Sequence, residues 1–351
     1  MIERTRLKVP LGGAMRAWQI QDRFGLDALT LVEREEPRPG PGQVAVQVRA
    51  TSLNYRDLLT LVGSYNPKQP LPLVPLSDGA GLVSAVGPGV TRVREGDRVA
   101  GIFNQAWISG PPRREHVRSS LGGPLDGLLA EQVVLGAEGV VRVPEHLSLE
   151  EAACLPCAGV TAWNALVEQG GLTAGQTLLV LGTGGVALFA LQLARCLDAR
   201  VIVMSSSDAK LKRARELGAS ETVNYRTTPD WDRQVKELTG GVGVDHVLEL
   251  GGAETLPRSL RAVRVGGHVS LVGSLSGLEA TLNLALVFMR GVRLQGVLVG
   301  SRDTFDALNR VISRYRLRPV IDRVFAFEDA PAAFEHLQSQ GHLGKVVVRV
   351  A

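Results

Sequence analysis

Two hydrophobic rhythms divide this chain. In its first third, apolar residues fall on alternate positions in short runs, each closed by glycine and proline. Val44-Ala45-Val46-Gln47-Val48-Arg49-Ala50 is one such run, entered through Pro39-Gly40-Pro41-Gly42. Residues 79–86 form a second, followed by Gly87-Pro88-Gly89, and Glu95-Gly96-Asp97-Arg98-Val99 turns into a third. A period of two places side chains on opposite faces of a strand, and many short strands at this spacing predict a β-barrel or sandwich.

The rhythm changes near Pro144. Ser148 followed by Glu151 is a capping box and predicts a helix start. From there, strands over 177–181, 200–204, 222–224, 245–250, 268–272 and 293–299 alternate with helices. The helices are predicted to end at 197 and to cover 209–217, 230–238 and 255–263. This alternation predicts a doubly wound parallel sheet covered on both faces, an α/β architecture. A helix over 330–338 and a strand over 345–350 close the chain, and that strand is expected to return to the first domain. The α/β unit (146–301) is then an insertion in a mostly β domain (15–145 and 302–351), with residues 1–14 as an extension.

Length agrees with two domains: 351 residues exceed the roughly 150 of one typical core. Apolar residues make up 45% and charged ones 21%, an ordinary globular balance. The net charge of +4 comes from arginines dispersed among acidic residues. No basic run interleaved with aromatics is present, so nucleic-acid binding is not expected. The most apolar region, 268–300, is broken by Gly273, Gly277, Glu279, Asn283 and Arg290, which argues against a membrane span. Three cysteines, Cys154, Cys157 and Cys196, cannot build a disulfide framework, and a cytoplasmic location is expected.

The chemistry begins at Gly182-Thr183-Gly184-Gly185-Val186-Ala187, which fits G-x-G-x-x-[GA]. It follows an apolar strand and opens an amphipathic helix, the context a dinucleotide-binding turn requires. Gly182 allows the tight turn, Gly184 lets backbone approach a pyrophosphate, and the helix N-terminus offers free N–H groups to it. An NAD site places a carboxylate at the tip of the second strand to hold the ribose hydroxyls. Here the tip reads Ser205-Ser206-Ser207-Asp208-Ala209-Lys210. Hydroxyls and a lysine suit a 2′-phosphate, so NADP(H) is favoured over NAD(H). Ser207 can equally cap the next helix while Lys210 stays solvated, and both readings can hold together.

At this point the residues resemble the medium-chain dehydrogenase/reductase family, in its zinc-independent quinone-oxidoreductase-like branch. The resemblance rests on Asn54-Tyr55-Arg56-Asp57, Gly79-Ala80-Gly81, Glu95-Gly96-Asp97-Arg98-Val99, Ala158-Gly159-Val160-Thr161-Ala162-Trp163, the Gly182 motif, Asn224-Tyr225-Arg226 and Gly344-Lys345-Val346-Val347. It implies a Rossmann domain inserted in a GroES-like β domain, and an oxidoreductase using a nicotinamide cofactor. Thr161, Tyr225, Leu250, Gly273, Ser274 and Val299 complete the expected cofactor contacts, with Tyr225 beside the adenosine.

The sequence departs from the zinc members of that family. Their ligand positions fall on Asn54, Ser77 and Cys157, and one thiol is not a zinc site. Their cysteine-rich lobe is replaced by residues 104–123, which contain no cysteine. His116 and His146 have no ligand spacing around them, so no metal is expected, and Cys154 and Cys157 read as buried structural thiols. Without a Lewis acid, hydride addition to a conjugated carbonyl or quinone is the easier chemistry, because charge spreads to an oxygen that donors can hold. By the same resemblance, Asn54, Tyr55 and Tyr65 are those candidate donors. Asn54 could instead cap a helix, Tyr55 could pack in the barrel, and Tyr65 could serve a turn; Asp57 is expected to make a structural hydrogen bond. A zinc-free alcohol dehydrogenase and a non-catalytic NADPH-binding protein remain alternatives. The apolar run 292–299, at the end of the sheet order, predicts a homodimer joined edge to edge.

Overall fold

In a computed structural model, residues 13–351 are described; of the extension expected over 1–14, residues 1–12 lie outside the described residues. The β-rich part comprises β1 (Ala14–Ile20), β2 (Leu29–Glu35), β3 (Gln43–Leu53), β4 (Asp78–Val86), β5 (Arg98–Gly101), β6 (Gln132–Gly136) and β7 (Val140–Arg142). The α/β part contributes β8 (Thr177–Leu181), β9 (Arg200–Ser205), β10 (Glu221–Asn224), β11 (Val244–Glu249), β12 (Val263–Leu271) and β13 (Arg293–Gly296). The chain ends on β14 (Ile321–Ala326) and β15 (Lys345–Arg349).

Strands β8 to β13 form one parallel sheet in the order β10-β9-β8-β11-β12-β13. This is the Rossmann order, reversing direction between β8 and β11. Leu178, Leu179 and Val180 are all sealed from solvent, because helices cover both faces of such a sheet and its central strands become continuous apolar runs. The helix Gly185–Cys196 buries Ala187, Ala190, Leu191 and Ala194, a stripe at helical spacing. A second sheet runs β14-β15-β3-β4-β5-β7, with β6 on β3. The C-terminal strand β15 thus pairs with β3 of the first third, Val346 lying opposite Leu53.

Three differences from the expected elements have physical reasons. Strand β13 stops at Gly296 because the chain beyond it turns aside: the carbonyls of Leu298 and Val299 accept from Asn164 Nδ2, at 2.9 and 3.3 Å. A helix over Arg302–Tyr315 was not anticipated; Ser301 caps it, accepting from Thr304 N–H at 3.2 Å. It buries Phe305, Leu308 and Ile312 in a cluster shared with Leu188 and Val141, astride the junction of the two parts. The predicted capping box forms: Glu151 N–H donates to Ser148 Oγ, and Ser148 N–H donates to the Glu151 carboxylate. Its helix, however, passes within a few residues into wider π-type turns over Leu155–Gly159.

Candidate active site

Most of the expected cofactor residues lie at or just past the C-terminal ends of parallel strands, where ligands bind in such sheets, whereas Thr161 and Lys210 lie on helices. Gly182 follows β8 with φ at +102°, a conformation a side chain would oppose, and its N–H donates to Met204 O. Gly184 caps the helix Gly185–Cys196, and nothing stands within 4 Å of where its side chain would be. That open space, with the unpaired N–H groups of a twelve-residue helix, fits a pyrophosphate. Thr183 is buried, and its carbonyl accepts from Gly344 N–H at 2.9 Å, which ties the turn to the β domain. Val186 packs against the core and Thr161 is buried in the helix Val160–Trp163.

At the tip of β9, Ser205 Oγ accepts from Ser207 N–H and Ser205 O accepts from Tyr225 N–H. Ser206 lies between them in sequence, and Tyr225 is exposed beside the tip. Ser207 caps the next helix, accepting from Lys210 N–H at 3.4 Å. Lys210 is not simply solvated: its Nζ donates to Gln340 O at 2.7 Å, and partial burial lowers its pKa. Leu250 and Gly273 follow β11 and β12, and a side chain at Gly273 would collide with Leu250 O at 2.3 Å. Ser274 comes next, its backbone 2.7 Å from where a Gly252 side chain would be. Glu249, which sequence reasoning missed, shapes this loop: its buried carboxylate accepts from the N–H groups of Gly251 and Gly252 and from the hydroxyls of Thr255 and Ser259.

The candidate substrate side is built where three neighbouring strands meet. The β15–β3 register that pairs Val346 with Leu53 carries Lys345 to Asn54, and β3 pairs Ser52 with Asp78 of β4. Lys345 is 3% exposed; its Nζ donates to Leu53 O at 2.8 Å and to Asn54 Oδ1 at 2.6 Å, and stands 3.6 Å from Asp78 Oδ2. Asp78 also accepts from Ser77 Oγ at 3.0 Å and from Cys157 N–H at 3.3 Å. Burial pushes the Cys154 thiol up to about 12 and raises that of Cys157 as well. The three cysteines are free; Cys154 is buried, as the buried-thiol reading expects, whereas Cys157 is only partly buried.

Asn54 precedes the helix Tyr55–Leu61, and its N–H donates to Asp57 Oδ2 at 2.8 Å, so Asp57 makes the structural bond expected of it. Asn54 Nδ2 is buried and has no partner among the described residues. Tyr55 does not pack into the barrel; it is 38% exposed at the first helical position. Tyr65 serves the turn after the helix through its N–H to Leu59 O, yet its ring is 51% exposed and lies 4.7 Å from the Arg56 guanidinium. Arg56, not singled out from the sequence, donates to the carbonyls of Leu121, Gly122 and Gly123 at 3.0 to 3.1 Å. It thereby clamps the helix to the end of the loop that replaces the cysteine-rich lobe. Within that loop, Trp107 stacks on His116 at 5.8 Å.

Comparison with known proteins places both parts. Residues 40–145 match the alcohol dehydrogenase GroES-like domain, and residues 185–314 match the zinc-binding dehydrogenase domain. The chain is 41% identical to a zinc-type alcohol dehydrogenase-like protein of Schizosaccharomyces pombe, over 93% of this chain and 96% of that one. It is 30% identical to quinone oxidoreductase-like protein 2 of Bos taurus, over 91% and 88%. The crystal structure of an NAD-dependent alcohol dehydrogenase superposes with a TM-score of 0.88 at 37% identity, over 96% of this chain and all of the other.

Proposed function

The chain belongs to the medium-chain dehydrogenase/reductase family, and from that premise we propose that it is an NADP(H)-dependent oxidoreductase that reduces conjugated carbonyls or quinones without zinc. An oxidoreductase with a nicotinamide cofactor follows from the family; the substrate class, the phosphate preference and the absence of zinc are the finer part of the reading. The observation that carries it is the group standing at the family's zinc-ligand positions. Asn54 Oδ1 is taken by an ammonium, Ser77 is bonded to Asp78, and Cys157 is the one thiol among the three positions. Zinc takes thiolates, neutral imidazoles or carboxylates in a closed tetrahedral set. An amide, a hydroxyl and a thiol around a lysine do not fit it.

When bound at the Gly182 turn, the cofactor supplies hydride. Hydride delivered to the acceptor carbon would form its new C–H bond and displace the substrate's conjugated π pair onto the carbonyl or quinone oxygen, and a solvent proton would complete the reduction. The protein holds that oxygen as charge builds on it, with Asn54 and Tyr65 as the proposed donors and Tyr55 as a further candidate. NADPH oxidation against a panel of quinones, enones, enals and simple aldehydes tests the reading, with metal analysis of the same sample. Turnover of quinones or enones is expected. Metal-free oxidation of alcohols alone would favour a zinc-free alcohol dehydrogenase, and cofactor binding with no turnover a non-catalytic NADPH-binding protein. Elemental analysis should find far less than about one zinc per chain; tightly held zinc whose removal abolishes activity would overturn this part.

The phosphate preference rests on Ser205, Ser206, Ser207 and Lys210. Lys210→Ala should raise the dissociation constant for NADPH roughly tenfold and leave that for NADH nearly unchanged, since one charge-assisted contact is worth ~1.5 kcal/mol. Equal affinity of the unmodified protein for the two cofactors would remove the preference.

Assembly is proposed as a homodimer. Strand β13 is the sheet's last strand, and Leu284, Phe288, Met289 and Leu298, in the segments flanking it, are all exposed. Exposed edges and contiguous apolar surface call for a partner. Sedimentation at micromolar concentration should give a dimer, and a monomer would contradict the proposal. The division at 145/146 and 301/302, the cytoplasmic location, and a small molecule as the only partner are proposed with it.

A further inference from the structure

We propose that Lys345 is a positioning residue for this reaction: its buried ammonium fixes the Asn54 carboxamide so that Nδ2 is the atom left to donate to the acceptor oxygen. The proposal rests on the reading of the chain as a reductase of conjugated carbonyls or quinones, and it names the group that orients the donor.

An asparagine amide can present either its oxygen or its NH2 to a neighbour. Here the neighbour decides. An ammonium only donates, so at 2.6 Å it requires the amide oxygen. The opposite rotamer would set NH2 against NH3+ and leave Oδ1 without a donor. With Oδ1 spoken for, Nδ2 is a buried donor that no group among the described residues satisfies. Buried donors are nearly always paired, and an exception at a site points to a ligand that completes it.

Lys345 is itself held in place. Leu53 O and Asp78 complete its surroundings, at 2.8 and 3.6 Å. Its stem runs against Gly185 of the dinucleotide turn, where an added Cβ would lie 2.6 Å from Lys345 Cδ. The absence of a side chain at Gly185 therefore makes room for this lysine. The ammonium is buried, its two hydrogen bonds go to Leu53 O and Asn54 Oδ1, and Asp78 stands beside it as counter-charge, so the proposal has it act through Asn54.

The test is a double-mutant cycle on single-turnover NADPH oxidation, with 1,4-benzoquinone and 2-cyclohexen-1-one as probes. Asn54→Ala should slow hydride transfer by about 100-fold and Lys345→Met by about 10 to 100-fold. The double variant should be no slower than Asn54→Ala alone, because the lysine then has nothing to orient. Lys345→Arg, still a donor-only cation, should keep more of the rate than Lys345→Met. The dissociation constant for NADPH should stay within about threefold throughout. Multiplying losses, or a weakened NADPH affinity with an intact rate at saturation, would overturn the proposal; the second result would make Lys345 a phosphate contact. Should Lys345→Met not fold because Asp78 is left unpaired, Lys345→Met with Asp78→Asn enters the same cycle. A readout free of turnover separates the two layers. The Asn54 side-chain NH2 signals in a 15N spectrum, assigned by their loss in Asn54→Ala, should shift and broaden in Lys345→Met. Unmoved signals would refute the lysine's role. If the unmodified protein reduces neither probe, the reaction reading falls while these signals still decide the orientation.

Discussion

Replacing Arg56 by methionine is expected to cost about 3–5 kcal/mol of stability, the range for removing one partner from a buried ion pair. Methionine keeps an apolar stem of similar length, so the loss isolates the guanidinium. Three carbonyl bonds go, to Leu121, Gly122 and Gly123. So do the ion pair to Asp57 at 3.3 Å and the stacking against Tyr65 and Phe103. What remains is a fully buried Asp57 carboxylate. Burial already holds its pKa above the ordinary carboxylate value, Asp78 adds to that, and Arg56 and Lys345 work against it. A carboxyl whose folded pKa exceeds its unfolded one favours the fold most below the unfolded value, and loses that contribution as pH rises through the folded value. Removing Arg56 moves the folded value higher still. The variant's deficit should therefore be larger at pH 7 than at pH 5. Urea unfolding at the two pH values checks the sign, and a thermal midpoint lowered by roughly 5–15 °C checks the size. A deficit below about 1 kcal/mol at both would mean that the clamp is dispensable.

What the sequence disclosed about this fold follows from the range of the interactions involved. The Rossmann strands were legible because parallel strands covered on both faces become unbroken apolar runs, as Leu178-Leu179-Val180 does. The dinucleotide turn was legible because its chemistry lies in consecutive residues, from Gly182 to Ala187. The helix Arg302–Tyr315 carried a readable signal, Ser301 three residues before Thr304, and passed unnoticed because Thr in place of Glu or Gln weakens the capping signature. Lys345 is a different case. In the sequence it stands within Gly344-Lys345-Val346-Val347, and nothing local marks it as a site residue. Its partner Asn54 is 291 positions away, and their contact depends on the register of β15 against β3. A slip of one residue would turn the lysine to the other face. Arg56 was hidden for the same reason, since its partners are backbone carbonyls that any residues at 121–123 would supply.

Tyr65→Phe is expected to slow hydride transfer by ~10 to ~1000-fold, the range for losing one donor that acts as charge develops on an oxygen. The structure lets this substitution be read cleanly. Tyr65 is held by two features that phenylalanine keeps: a backbone N–H bonded to Leu59 O at 3.0 Å, and a ring stacked on Arg56. Its hydroxyl is the only group lost, and it makes no hydrogen bond to another of the described residues. A hydroxyl with no work in the resting protein contributes little to stability, so the thermal midpoint should hold. Because the donor tightens its bond only as the acceptor oxygen gains charge, the substrate's ground-state affinity should change little and the loss should fall on kcat. A tyrosine needed only for the turn predicts the reverse, a lower thermal midpoint with turnover intact in the protein that survives. Measuring both quantities on one variant, with deuterated NADPH to establish that hydride transfer limits the rate, separates the two. An unaltered kcat under that limit would remove Tyr65 from the mechanism and leave the oxygen to Asn54, oriented by Lys345, with Tyr55 as the other candidate donor.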